Sequence, residues 1–180
     1  MERFPCVPVE DDVRHHGPAL RESFIEGIFV FRRWNEMKRS RGMVSDLISF
    51  HTDHKLLILA HSPKHYTRLG MLVAEARKRE WQSLLNEYFT VLKDGLKLLA
   101  TNKKRRVCWS ILPDISKSGS LQKEKQELMD VIHRYHKGMV PLIVPPVSIT
   151  HYVNKYDEPY LKRQYYLHLH PAELMLRNHV

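Results

Sequence analysis

The chain contains little cysteine and little glycine. Among its 180 residues there are two cysteines, Cys6 and Cys108, and seven glycines. Two thiolates cannot by themselves hold an iron–sulfur cluster or a structural zinc ion, so we expect no such cofactor in this chain. A disulfide framework is not expected for the same reason. The glycines are scattered and form no phosphate-binding loop, which argues against the nucleotide-binding folds that depend on one.

Long apolar runs and internal repeats are also absent. The longest apolar run is far shorter than the roughly 20 residues of a membrane-spanning helix. The acidic, proline-interrupted start of the chain is unlike a secretory signal. We therefore expect a cytoplasmic protein with no membrane partner. The content of 43% hydrophobic and 27% charged residues is ordinary for a folded domain.

Basic residues are what the chain has in excess. Lys and Arg number 29 against 20 Asp and Glu, which gives a formal net charge of +9 and a pI near 9.6. Such a balance is typical of proteins that bind the phosphate backbone of nucleic acids, although a basic surface without any partner has the same composition. The cations cluster in three segments, Lys38–Arg41, Ala76–Glu80 and Asn102–Arg106.

Apolar periodicity predicts an all-α fold, a single domain of about five to seven helices. Residues 1–17 show no periodicity and are predicted to be an N-terminal arm or linker, so the helical domain covers residues 18–180. The first helix begins at Pro18, and its apolar stripe consists of Leu20, Phe24, Ile28 and Phe31. A second helix spans about Val44–Ala60 and is apolar on all sides near its end, which predicts a central position.

Ser62 and Pro63 have the character of an N-cap followed by a proline in the first helical turn. They predict the start of a third helix, in which Gly70 marks a break or a close helix contact. The next helix has the clearest apolar stripe of the chain, which consists of Trp81, Leu84, Leu85, Tyr88, Leu92 and Leu99.

The last third of the chain is predicted to contain a further helix and an irregular segment. Ser120 caps that helix and Gly138 ends it. The proline-rich segment 140–147 is predicted to be extended, because prolines restrict the residues before them. The three tryptophans, Trp34, Trp81 and Trp109, are expected in the core rather than as platforms for nucleic-acid bases.

Polar side chains on the second helix form a candidate site. His51, Lys55 and Ser62 are spaced by four and seven residues and can share one side of a helix, with His61 and Tyr66 nearby. One interpretation is an exposed helix edge with a lysine lying along it. The other is a polar groove that supplies charge, donors and a stacking plane to RNA. Further RNA-binding candidates are Arg32, Arg33, Arg68, Lys103, Lys104, Arg105 and Arg106.

The sequence shows no catalytic or metal-binding constellation. His51, His54, His61 and His65 lie close in sequence, but no carboxylate or cysteine completes a familiar ligand pattern. Ser62 follows His61 directly, and adjacent residues of a helix point in different directions. No G-x-S-x-G motif surrounds that serine. We therefore predict neither catalytic residues nor a metal site in this chain.

Three segments resemble the YbgA-like family, a bacterial domain of unknown function. They are "LISFHTDHKLLILAHSPKHYTRLGMLVAE" (Leu47–Glu75), "YHKGMVPLIVPPVSITHY" (Tyr135–Tyr152) and "HPAELMLRNHV" (His170–Val180). In the first segment, the matching residues are His51, Lys55, Leu59–Ser62, Tyr66, Leu69 and Gly70. The segment Val7–Trp34 resembles the junction found where this domain follows a thiouracil-desulfurase-type domain.

The resemblance implies an accessory function in the removal of sulfur from tRNA. The two-domain relatives resemble desulfidases that act on 4-thiouridine in tRNA, with a [4Fe-4S] cluster held by cysteines of the other domain. The resemblance thus implies a non-catalytic accessory domain that binds RNA, expected to be tRNA, while the cluster belongs to a missing or partner desulfurase domain. The alternative is a protein-interaction module that docks on a separate desulfurase subunit, which the acidic segment Glu10–Asp12 and the apolar "FPCVPV" favour.

Overall fold

The computed structural model describes residues 18–40, 43–100, 122–140 and 143–167. Most of these residues lie in helices, and no strand occurs among them. The α-helices are α1 (Pro18–Arg39), α2 (Val44–His61), α3 (Pro63–Ala74), α4 (Trp81–Leu96), α5 (Gln122–His136), α6 (Val144–Lys155) and α7 (Pro159–Lys162), with a 3₁₀ helix at Ala76–Lys78. The predicted all-α fold is confirmed, while the predicted arm at residues 1–17 lies outside the described residues. Of these helices, none combines the length and apolar character that a membrane crossing requires.

Helix α2 lies at the centre of the fold. Its last six residues, Leu56–His61, are all buried, and it contacts α1, α3 and α4. Aromatic rings pack beside it. The Trp34 ring stacks on the Tyr88 ring with centroids 5.4 Å apart, and it meets the Phe50 ring edge-on at 5.3 Å. The predicted central position of α2 and the predicted core position of Trp34 are therefore confirmed.

The predicted apolar stripe of α1 is correct in part, since Phe31 lies in the core as predicted. The sequence predicts Ile28 in the core, but its side chain is 39% exposed. The buried side chains of the same helix include Ile25, Phe29, Val30 and Trp34. Glu26 is also buried, and a hydropathy pattern assigns a glutamate to the outside. The error at Ile28 arises because the inward side of α1 includes a polar residue, which an apolar periodicity does not count.

The boundary between α2 and α3 follows from its capping residues. Ser62 ends α2, and its Oγ accepts the backbone N–H of His65 in the first turn of α3. Pro63 is the first residue of α3, where its missing N–H costs no helical hydrogen bond. The predicted roles of both residues are confirmed.

Gly138 ends α5 in the left-handed conformation, with a φ angle of +71°. Its N–H donates to the carbonyl of Tyr135, and the N–H of Met139 donates to the carbonyl of Arg134. These two bonds form a Schellman motif, which satisfies carbonyl groups that the helix end leaves open. The sequence prediction for this glycine is confirmed.

The sequence predicts that the proline-rich segment 140–147 is extended. In the structure, its last four residues are helical. Helix α6 begins at Val144, and Pro145 and Pro146 lie buried in its first turn. Prolines are tolerated there because the first N–H groups of a helix have no intrahelical acceptor. The prediction is wrong for residues 144–147, because it reads both prolines as helix breakers when they start a helix.

The segment after α7 is fastened to α2 through backbone groups. Gln164 is fully buried; its Nε2 donates to the carbonyl of Thr52 at 2.7 Å, and its Oε1 accepts the N–H of Leu56 at 3.2 Å. These are the two groups that bond each other in a regular α-helix. The N–H of Tyr165 also donates to the carbonyl of Asp53, at 3.0 Å. One side chain and one amide thus attach the end of the described chain to the central helix.

Two glycines lie at helix contacts, but only one of them is tightly packed. A Cβ atom added at Gly70 would lie 3.9 Å from His51 Nε2, an ordinary van der Waals distance. A Cβ atom at Gly95 would lie 3.0 Å from His65 Cβ and 3.2 Å from His65 Cγ. The close approach between helices is therefore at Gly95, between α3 and α4. The predicted break at Gly70 is wrong, because α3 continues through it.

This difference predicts opposite effects of alanine at the two glycines. We expect Gly95→Ala to lower the free energy of unfolding by about 1–2 kcal/mol, because overpacking exceeds the gain in helix propensity. We expect Gly70→Ala to raise it by about 0.5–1 kcal/mol, because only the propensity gain remains. Urea unfolding of both variants beside the wild type measures the two shifts. Equal shifts in the two variants would contradict a tight α3–α4 contact at Gly95.

Candidate nucleic-acid interface

His61, a predicted RNA-binding residue, is buried in an interior polar pair. Only 1% of its surface is exposed, its Nε2 lies 2.7 Å from Glu26 Oε2, and its Nδ1 lies 2.7 Å from the carbonyl oxygen of Leu98. Because a carbonyl only accepts, Nδ1 carries a proton and donates to it. The hydrogen bond between Nε2 and the carboxyl group requires one further proton, which either the ring or the carboxyl group carries.

The predicted polar groove on α2 is therefore wrong for two of its members. Both ring nitrogens of His61 are used inside the fold, and Ser62 is a buried cap whose Oγ lies 2.7 Å from His65 Nδ1. Neither side chain is accessible to RNA in this structure. Their polarity serves the packing of α2 against α1 and the start of α3.

His51 is also buried, so the predicted stripe is divided. Its Nδ1 lies 2.9 Å from the hydroxyl of Tyr88, and its ring is stacked against the Tyr66 ring at 6.2 Å between centroids. Burial, together with the positive charge of Lys55, lowers the pKa of His51 to about 4. His51 is therefore neutral at pH 7. Of these residues, Lys55 and Tyr66 are the ones that are partly exposed.

A third buried histidine, His54, is not among the predicted RNA-binding residues. His54 Nδ1 lies 2.7 Å from the carbonyl oxygen of Phe50 and therefore donates to it. Burial lowers the pKa of His54 to about 3, and the charge of Arg33 contributes in the same direction. Arg33, a predicted RNA-binding residue, has its guanidinium 3.9 Å from the ring centroid of Tyr165. That cation–π contact directs its charge toward a ring of the same protein.

Of the remaining predicted RNA-binding residues, two are exposed and four lie outside the described residues. Arg32 is exposed and pairs with Glu36 at 2.9 Å across one turn of α1, a surface pair of small energetic value. Arg68 is also exposed and pairs with Glu87 of α4. The remaining candidates lie outside the described residues, namely Lys103, Lys104, Arg105 and Arg106. In the described ranges, no group of three or more His, Cys, Asp or Glu side chains is placed to hold a metal ion.

Five cations on α3, the 3₁₀ helix and the residue after it form a surface that we name the basic face. They are Lys64, Arg68, Arg77, Lys78 and Arg79. Lys64 and Arg68 are one helical turn apart and are neighbours on the surface of α3. Ala76 is buried with 3% of its surface exposed, which anchors the 3₁₀ helix to the core and fixes the backbone of the cations that follow.

Glu87 of α4 links the two halves of the basic face. Arg68 Nη2 lies 2.5 Å from Glu87 Oε1, and Arg79 Nη2 lies 2.6 Å from Glu87 Oε2. The hydrogen bond from Arg79, followed by that from Arg68, lowers the pKa of Glu87, which is therefore ionised at neutral pH. The three side chains together carry one net positive charge. Since each guanidinium has five N–H donors, both retain capacity to bind a further anion.

An open groove of about 620 Å³ adjoins the basic face. It is lined by the start of α2, by the 3₁₀ helix and by the start of α4, through Met43, Val44, Ser45, Ala76, Arg77, Arg79 and Trp81. The lining thus combines two guanidinium groups with an indole ring and apolar side chains. Trp81 is only partly buried, so the core position expected for it is half correct.

The sequence indicates the cations of this groove but not the groove itself. The cluster Ala76–Glu80 is visible as a run of basic residues, and Trp81 follows it directly. The opposite wall, Met43–Ser45, lies some thirty positions earlier and has no charge pattern. The predicted candidates on α2 and the groove are therefore different places.

Comparisons with known proteins match the chain to a family whose function is unknown. A family model described as "Protein of unknown function (DUF1722)" matches residues 55–171. A relative from Escherichia coli (strain K12), named "Uncharacterized protein YbgA", is 28% identical over 166 residues, which cover 87% of this chain and 94% of that protein. No solved structure matches the chain.

Proposed function

The chain belongs to the DUF1722 family of proteins of unknown function, and we propose that it is a non-catalytic module that binds RNA. The resemblance to the YbgA-like family is confirmed by this membership and by the similarity to YbgA. Because the family is of unknown function and that relative is uncharacterized, the proposal rests on the chemistry of this chain's own surface.

The basic face is the observation that carries the proposal. Lys and Arg side chains that neutralise phosphates release condensed counterions, and this release supplies much of the affinity of proteins for nucleic acids. Four of the five cations, Lys64, Arg68, Arg77 and Lys78, are exposed. The carboxylate of nearby Glu80 is turned to the backbone, where it accepts the N–H groups of the first turn of α4. When the carboxylates of Glu75, Glu80 and Glu87 are counted against its five cations, the surface keeps two net positive charges, which favours a polyanion.

Transfer RNA is the RNA that we propose, and the cytoplasm is the proposed location. The choice of tRNA follows from the resemblance of Val7–Trp34 to the junction behind a thiouracil-desulfurase-type domain, and the cytoplasm is the location expected from the sequence. In this proposal the chain holds the RNA, and a separate desulfurase domain with its own [4Fe-4S] cluster performs the chemistry. The alternative, a module that docks on a desulfurase subunit, depends on residues 1–17, which lie outside the described residues.

Matched charge changes test where RNA binds. We expect the double variant Lys64→Ala/Arg68→Ala to bind tRNA more weakly and to show a shallower salt dependence, by about one logarithmic unit for each phosphate that is no longer neutralised. We expect Glu87→Gln to bind more tightly, because it removes a negative charge that two arginines of the basic face now neutralise. Fluorescence anisotropy with labelled tRNA across a salt series measures both effects.

The controls make the same charge changes on α5. Lys123→Ala/Lys125→Ala removes two exposed cations, and Asp130→Asn removes one exposed carboxylate. We expect both controls to bind nearly as the wild type does. If the controls change the affinity as much as the basic-face variants do, the net charge governs binding and the basic face is not the site.

A further inference from the structure

We infer that the groove beside the basic face holds one unpaired nucleotide, with its base against Trp81 and a phosphate at Arg77 and Arg79. The juxtaposition that carries the inference is an indole ring and two guanidinium groups around one open groove. The inference rests on the proposed RNA-binding function and adds to it that part of the bound RNA is single-stranded.

The composition of the groove matches the parts of a nucleotide. Proteins that bind single-stranded nucleic acid combine a cationic path for the backbone with aromatic side chains on which bases stack. Here the cations line the groove from Arg77 and Arg79, and the aromatic ring comes from Trp81. Met43 and Val44 line it from the start of α2 and add apolar surface, which suits the face of a base better than a phosphate. The volume of about 620 Å³ lies within the roughly 300–1,000 Å³ typical of small-ligand sites.

Two carboxylates near the groove are engaged by backbone N–H groups, and the charged residues that line the groove itself are the two arginines. Glu80 Oε1 accepts the N–H of Gln82 at 2.8 Å, and Asp46 Oδ2 accepts the N–H of Met43 at 2.9 Å. Arg79 is held by Glu87 through one nitrogen, at 2.6 Å, so its guanidinium has a fixed position before RNA binds. Preorganised donors of this kind reduce the entropy cost of binding.

Base-paired RNA does not offer what this groove can take. In an A-form helix the bases are stacked on one another, and recognition is limited to phosphates, 2′-hydroxyls and base edges. An indole ring inside a groove requires a base that has left its stack, as in a loop or at a strand end. Base pairing therefore removes the ligand of Trp81 but retains the ligands of the basic face.

A comparison of two RNA probes tests this inference. We expect the wild type to bind a single-stranded RNA oligonucleotide more tightly than a blunt-ended duplex with the same number of phosphates. We expect Trp81→Leu to weaken single-strand binding by roughly tenfold, since loss of one stacked base has about that effect, and to leave duplex binding unchanged. Trp81→Phe retains a ring and should retain most of the preference, and circular dichroism checks that both variants are folded.

A second variant avoids the partly buried tryptophan. Met43 lines the groove and is 53% exposed, so Met43→Glu places a carboxylate in the groove without disturbing the core. Met129 on α5 is 44% exposed, and Met129→Glu is the matched control. We expect Met43→Glu to weaken single-strand binding severalfold more than the control does. A polyglutamate peptide of equal charge should compete poorly for the site.

The outcomes separate this inference from the proposed function. If the wild type binds both RNAs equally and Trp81→Leu changes neither affinity, the inference is wrong while RNA binding by the basic face stands. Competition by polyglutamate as strong as that by RNA also overturns it, since the groove then responds to charge alone. If the wild type binds neither RNA, the proposed function fails and the inference fails with it.

Discussion

We expect Glu26→Ala to lower the free energy of unfolding by about 3–5 kcal/mol, because it breaks a buried pair and leaves its partner without compensation. His61 and Glu26 are each 1% exposed, and His61 Nε2 lies 2.7 Å from the carboxylate. After the change, His61 keeps its bond to the carbonyl of Leu98 and loses the second one. Urea unfolding at pH 7 measures the loss.

Two comparison variants show whether the hydrogen bond or the charge matters. Because His61 Nδ1 donates to Leu98, a neutral ring accepts at Nε2, and the amide of Glu26→Gln can donate to it. We therefore expect Glu26→Gln to lose no more than about 1.5 kcal/mol, the scale of one net hydrogen bond. Glu36→Ala removes an exposed carboxylate from the same helix and should be close to neutral. A loss below about 1 kcal/mol for Glu26→Ala would contradict the energetic importance of the buried pair.

We expect the protein to lose about 3–4 kcal/mol of folding stability between pH 7 and pH 5, because two histidines are held neutral in the fold. Burial lowers the pKa of His51 to about 4 and that of His54 to about 3, whereas an unfolded histidine titrates near 6.5. The unfolded chain therefore binds more protons below pH 6.5. Stability from these groups is complete above that pH and decreases as the pH falls toward the folded pKa values.

Asparagine variants assign this pH dependence to its source. His54→Asn retains a donor near the carbonyl of Phe50 and cannot titrate, so we expect it to remove about half of the loss between pH 7 and pH 5. His133→Asn changes an exposed histidine of α5 and is the control, which should leave the dependence as it is. Carboxylates with lowered pKa values, such as Glu80 and Glu87, lose their contribution only below about pH 4.5. A stability that stays constant from pH 7 to pH 5 would contradict the burial of neutral histidines.

Local signals in the sequence predict much of this fold. Ser62 with Pro63, and Gly138, mark helix ends through capping chemistry that operates within a few residues, so each can be recognised in isolation. The apolar stripe of α4 is equally local, and its prediction is confirmed by the burial of Leu84, Leu85, Tyr88 and Leu92, although Leu99 lies beyond the end of the helix. Where one element decides its own structure, the sequence is sufficient.

The errors occur where a distant residue decides the environment of a side chain. Glu26 and His61 are both polar, and each is buried because the other is present 35 positions away. Gln164 is buried because it bonds backbone groups of α2 more than a hundred positions earlier. No periodicity records such pairs. An apolar stripe on a helix that contains one of them is therefore predicted only in part, as at Ile28, and a histidine within such a pair is mistaken for an exposed site residue.

The candidate site is accessible to sequence reasoning only in part. The cations of Ala76–Glu80 stand out by composition, because a run of basic residues can be recognised without knowledge of what it contacts. The groove requires Met43 and Trp81 to line the same space, which depends on how the start of α2 packs beside the start of α4. Such packing follows from the tertiary arrangement of three segments.

Binding of the unmodified protein to tRNA tests the proposed function most directly. A labelled tRNA is titrated with the protein at about 50 mM salt and then at increasing salt concentrations. We expect saturable binding at low salt and an affinity that falls steeply, and linearly on logarithmic axes, as salt increases, since several phosphates are neutralised. No binding at about 50 mM salt, where attraction to the backbone is strong, would contradict the claim that this chain is an RNA-binding module.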